Sequence, residues 1–162
     1  EATKLFSFSP DRINVTIHKE SIVHSMVQTV GGTIYAECSP PDMRCPILGA
    51  LVFPHSIPSY LKPLDFSTSF SLSFSPPRYE DFPLLSLGFE VARKNAAYPI
   101  AFNASNEVAV ASFMEGKIGF LDIANVVSIL LQKDWQCTID SIEAVYEMDR
   151  KARNMSKEVI KE

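Results

Sequence analysis

The densest group of residues able to do chemistry lies in "PPDMR", residues 40–44. Two prolines stiffen the approach, and an acid and a base flank a thioether. Taken alone, Asp42 beside Arg44 reads as a turn locked by an ion pair or an Asx cap, ahead of general acid–base chemistry. His18 and His24 bracket Glu20, with Glu37 further along, but their spacing matches no zinc signature and favours structural histidines. Cys38, Cys45 and Cys137 are odd in number and show no C-x-x-C spacing. That predicts free thiols in a reducing compartment, each filling a small buried apolar position. A Cys–His nucleophile would need an oriented base and an oxyanion site, and the sequence supplies neither. With six glycines and neither G-x-G-x-x-G nor a P-loop, the chain should not cradle a nucleotide by itself.

Those residues need elements to position them. "RINVTI", residues 12–17, alternates strictly and predicts a half-buried strand with Ile13, Val15 and Ile17 on one face. "IVHSMVQTV" and "TIYAEC" flank Gly31 and Gly32, the signal of a β-hairpin closed by a two-residue primed turn. That turn would pair Val30 with Thr33, Gln28 with Tyr35 and Met26 with Glu37. It would set His24 opposite Ser39, at the mouth of "PPDMR". "PILGALVF" opens with Pro46 and predicts a short buried helix.

From His55 to Pro83, serine, proline and spaced aromatics predict a connector with one short strand near residues 70–74. Everything beyond looks helical. One helix carries the stripe Leu84, Leu87 and Val91. The next starts at an Asn103 cap, where Asn106 is equally a capping residue, and stops at Gly116. "FLDIANVVSILLQK" predicts a broadly apolar central helix. The last opens with an Asp140–Glu143 capping box and runs along Ile142, Val145, Met148, Ala152, Met155 and Val159. The fold class is therefore α+β, a hairpin followed by a connector and a C-terminal four-helix bundle.

Composition bounds the partners. The chain has 162 residues, 46% of them hydrophobic and 21% charged, with a net charge of −4. That balance argues against nucleic acid, which needs a basic footprint. No apolar run approaches the length of a membrane span. The first residue is Glu1, not Met, so a longer natural chain is expected.

"HKESIVHSMV", "PDMRCPI", "KPLDF", "NASNEVAVASF" and "FLDIANVV" follow one another in a fixed order. Together they make the chain resemble the 1-deoxy-D-xylulose 5-phosphate reductoisomerase family over nearly its whole length. The resemblance implies an NADPH- and metal-dependent oxidoreductase converting 1-deoxy-D-xylulose 5-phosphate to 2-C-methyl-D-erythritol 4-phosphate in non-mevalonate isoprenoid biosynthesis. It implies the end of a catalytic domain over 1–55, a connector over 56–83 and the helical bundle over 84–162. The family's NADPH-binding domain and its Asp-Ser-Glu and Asn-Lys-Gly-Leu-Glu strings do not occur in this sequence. By the same resemblance, His24, Pro41 and Met43 belong to the active-site wall, with Asp42 and Arg44 holding its turn. Glu1 stands at the edge of an acidic metal-binding cluster. No catalytic set is complete.

NADPH and a divalent cation, Mg or Mn, would act in the complete enzyme, with neither bound to this segment alone, which is expected to be inactive. The implied partners are a sugar phosphate substrate and a second copy paired through the catalytic-domain sheet. The implied compartment is bacterial cytoplasm or plastid stroma. The alternative is a non-catalytic dimerisation or binding module of the same ancestry. The sequence departs from the family at His18-Lys19-Glu20-Ser21, where His-Pro-Gln-Ser is usual, at Ser105 for Ala and at Leu121 for Thr. The first departure predicts a differently shaped loop.

Overall fold

The computed structural model describes residues 2–58 and 60–161. It is mixed α+β and divides into two compact units. One joins the stretch through Asn14 to the stretch from Arg78 onward; the other is Val15–Pro77.

The first unit is helical. It opens with the short helix α1 (Ala2–Leu5) and a 3-10 turn at Pro10–Arg12, then continues with α3 (Pro83–Lys94), α4 (Tyr98–Met114), α5 (Asp122–Leu131) and α6 (Ile142–Lys161). Helix α4 packs against α3, α5 and α6. Its buried positions are Ala101, Ala104, Ser105, Val108 and Ala109, small side chains that let neighbouring backbones approach closely. Larger residues from α5 fill the gap, with Val127 and Leu130 fully buried. Trp135, 1% exposed, closes the far side and donates its indole N–H to Leu130 O at 2.9 Å. Ser105, where the family has Ala, is accommodated because its hydroxyl donates back to Ala101 O at 2.7 Å.

Two helix starts differ from expectation. Helix α4 begins at Tyr98, with Pro99 in its first turn, so Asn103 lies inside it and donates to Glu107 Oε1 at 3.0 Å. Helix α6 is capped by Ser141, whose Oγ accepts the Ala144 N–H at 3.1 Å, and not by Asp140. The stop at Gly116 is as expected. Gly116 takes φ +73°, its N–H reaches Phe113 O, and Lys117 N–H reaches Ser112 O, a Schellman closure. At the front of this unit Arg93 holds Asp11 at 3.0 Å and Lys4 holds Asn95 at 2.6 Å.

The second unit carries an antiparallel pair, β1 (Val23–Gln28) and β2 (Ile34–Cys38), and the helix α2 (Arg44–Val52). The hairpin is present, but its register is one residue away from the expected one. Gln28 pairs with Ile34, Val27 with Tyr35 and Ser25 with Glu37. The reason is the loop. Thr29 N–H bonds to Thr33 O and Gly32 N–H to Thr29 O, so three residues, Val30 to Gly32, make the turn. Only Gly32 adopts positive φ, at +86°, which is the bulged three-residue closure and not the two-residue primed turn.

A second irregularity lies between Val23 and Ser25 and leaves His24 out of the ladder. Residues 12–17 form no strand. Their contribution is a lone bridge in which Ile17 and Ser75 exchange both backbone hydrogen bonds, and residues 70–74 form no strand either. Helix α2 starts at Arg44, two residues before Pro46. It buries none of its residues, because Ile47 and Leu51 face outward.

Candidate functional site

The turn at 40–44 is built by one carboxylate. Asp42 Oδ1 accepts the Arg44 backbone N–H at 2.9 Å, which anchors the first residue of α2. The same carboxylate takes the Arg44 side chain as a fork, with Nε at 2.9 and 3.0 Å and Nη2 at 2.5 Å. The Asp42 carbonyl accepts Cys45 N–H at 3.1 Å, and the Asp42 N–H reaches back to Pro40 O at 2.7 Å. The Arg44 side chain and then its amide hold the Asp42 carboxyl down to about 2. The same ion pair pushes the guanidinium pKa up. Asp42 is half-buried, whereas Pro41 is exposed and Met43 is 72% exposed. The clamp thus half-buries its carboxylate, leaves the guanidinium side chain 60% exposed, and offers a proline and a thioether outward. Such a surface suits van der Waals contact with a ligand and not proton transfer.

His24 reaches this segment by a different route from the expected strand pairing. Freed by the bulge, its ring donates from Nε2 to Ser39 O at 3.2 Å, the residue before the two prolines. The ring is exposed. The structure therefore brings His24 to the start of the 40–44 segment through a side-chain bond.

His18 is placed quite differently. Its side chain is 6% exposed and stacks on Phe74 at 4.6 Å. Nδ1 lies 2.8 Å from Ser73 O and 3.0 Å from Glu20, and Nε2 accepts the Ile22 N–H at 3.2 Å. Both ring nitrogens are committed, so His18 is structural. Glu20 accepts the Ser73 N–H at 3.2 Å and the Ser73 hydroxyl at 2.6 Å, and these bonds, the hydroxyl first, lower its pKa. No motif in the sequence announces this clasp. Its one signal in the sequence is the acid at position 20, where the family carries an amide.

The three cysteines are free, but Cys38 and Cys137 are exposed and Cys45 is half-buried, so none is a core residue. Glu1 lies outside the described residues. Among the described residues no group of three or more histidine, cysteine or acidic side chains could hold a metal ion, so the donor set here does not fit one. No helix is long and apolar enough to cross a membrane.

Residues 38–155 match the family model for the DXP reductoisomerase C-terminal domain. The chain is 56% identical over 153 residues to 1-deoxy-D-xylulose 5-phosphate reductoisomerase of Treponema denticola, covering 94% of this chain and 40% of that protein. It is 50% identical to the same enzyme of Treponema pallidum, of which it covers 41%. The chain thus spans about two-fifths of these relatives. Among solved structures it is similar to the Zymomonas mobilis reductoisomerase in complex with NADPH, at TM-score 0.92 and 37% identity, covering 99% of this chain and 43% of that one. A DOX-P reductoisomerase in complex with NADPH, fosmidomycin and magnesium matches at TM-score 0.89 and 36% identity, with 41% of its chain covered.

Proposed function

This chain belongs to the DXP reductoisomerase C-terminal domain family, and from that premise we propose that it serves as part of an NADPH-dependent reductoisomerase acting on 1-deoxy-D-xylulose 5-phosphate. In that reading 1–55 closes a catalytic domain, 56–83 connects, and α3 to α6 form a four-helix bundle. The solved relatives bind NADPH and magnesium, and the complete protein takes both. When bound there, the cofactor would supply hydride and the cation would supply Lewis-acid chemistry. The part proposed for the residues of this chain is to shape the pocket. Pro41 and Met43 form its wall, Asp42 and Arg44 fix the turn, and His24 stands at its edge.

One observation carries this reading: the Asp42–Arg44 fork ties the two charges of the turn to each other and leaves Met43 facing outward. A flexible loop would gain nothing from such a lock. The decisive experiment is steady-state kinetics on the complete polypeptide that carries this chain, comparing parent with Met43→Ala. Removing a thioether contact worth a buried side chain should raise KM for the sugar phosphate or for NADPH by about ten-fold. An unchanged KM for both would refute the wall assignment. The 162-residue chain alone should neither oxidise nor tightly bind NADPH, and turnover by it would refute the division of labour.

A second reading, a homodimerisation module, draws on the two-stranded sheet, whose outer edges have no ladder partner among the described residues. Sedimentation of the chain across a concentration series tests it, and a monomer throughout would remove it.

A further inference from the structure

The clamp on the 40–44 turn is local, since Asp42 and Arg44 are two residues apart and move together. It fixes the shape of the turn without fixing the direction in which the turn faces. A contact from outside the turn supplies that. Tyr60, in the connector beyond α2, sets its ring 5.5 Å from the Arg44 guanidinium carbon, within cation–π range. Asp42 engages Nε and Nη2, along the edge of the planar cation, which leaves the guanidinium face for the ring. Tyr60 is 71% exposed, so it contributes little by burial and has no core of its own to serve.

We propose that Tyr60 is a positioning residue that sets, through Arg44, how the Pro40–Met43 wall is presented to substrate and nicotinamide. This rests on the reading of that wall given above. The connector is then part of the pocket's frame as well as a link between elements. Asp42, Arg44 and Tyr60 are joined in series, carboxylate to guanidinium fork and guanidinium to ring. Loss of the last member lets the turn rotate while its internal bonds survive.

The test uses the complete polypeptide that carries this chain, assayed with NADPH, magnesium and 1-deoxy-D-xylulose 5-phosphate. Tyr60→Leu keeps the bulk and removes the aromatic face, whereas Tyr60→Phe keeps the face and removes the hydroxyl. Tyr60→Leu should raise KM roughly two- to five-fold, the range of an exposed cation–π contact. Its kcat should stay within about two-fold, and its melting temperature within about 3 °C of the parent. Tyr60→Phe should restore the parental KM.

Met43→Ala run alongside separates the two readings. A raised KM in Met43→Ala with no change in Tyr60→Leu overturns the positioning role and leaves the wall intact. No change in either overturns both. Equal KM losses in Tyr60→Leu and Tyr60→Phe, accompanied by a lowered melting temperature, assign Tyr60 to stability and overturn the proposal as well.

Discussion

Asp42 closes its turn twice, once through the Arg44 amide and once through the guanidinium fork. Asp42→Asn keeps an oxygen for the amide but loses the charge-assisted fork, so KM in the complete polypeptide should rise about five-fold, the scale of one ordinary hydrogen bond. The folded carboxyl titrates near 2, below its usual 3.8. Its contribution is therefore complete above 3.8 and lost only as pH falls through about 2. The gap between Asp42→Asn and parent should be flat across a neutral pH–KM profile, and a gap that closes near neutrality would contradict the assignment.

Glu20 obeys the same sign. Its bonds to Ser73 hold it below the usual 4.5, so the clasp is present above that value and opens as pH falls below it. The protection of the Ser73 amide, taken relative to the intrinsic exchange rate at each pH, should fall on acidification from roughly pH 6 to pH 3, and in Glu20→Gln it should lose that pH dependence. These two carboxylates also explain what a reader of the sequence can see. The Asp42 clamp spans two residues and is visible as a string. The Glu20 clasp joins positions 53 apart, a pairing that only the folded connector creates.

At the scale of elements, the hairpin and the four long helices are legible because each carries a period or a punctuating glycine. Their edges are less so, for identifiable reasons. Two adjacent glycines announce a turn, but they do not say how many residues it contains. Gly32 alone takes the left-handed conformation, and the turn has three residues. That one residue moves every cross-strand pair and, with the bulge at Val23–Ser25, takes His24 out of the ladder.

The string at the start of α6 predicts an acid-led capping box, yet serine and aspartate both cap well, and the adjacent Ser141 holds the Ala144 amide. Ser141→Ala should cost about 1 kcal/mol of the helical unit's stability in chemical denaturation. Asp140→Ala should cost much less. The reverse order would restore the capping box.

Over the whole molecule, burial is lopsided. Every buried residue described lies between Val91 and Ser156, and none lies among the described residues of Val15–Pro77. The helical unit thus has a core that can support cooperative unfolding. Leu130, fully enclosed, should cost about 2–5 kcal/mol when cut to alanine. The sheet unit instead exposes Met26, Val27, Val30, Ile34 and Tyr35 along two strands and their turn, and a lone two-stranded hairpin is marginal in water.

Hydrogen exchange on the dilute 162-residue chain should therefore show strong protection in α4 and α5 and little in β1 and β2. Two partners could change that, and they leave different signatures. A second copy covering the sheet makes hairpin protection rise with chain concentration, as mass action requires. Coverage by other parts of a complete reductoisomerase makes protection independent of concentration, and present only in the longer polypeptide. The second pattern is expected from the proposed function. Hairpin amides as protected as those of α5 in the dilute chain would contradict it, because the ladder would then be held without any core to hold it.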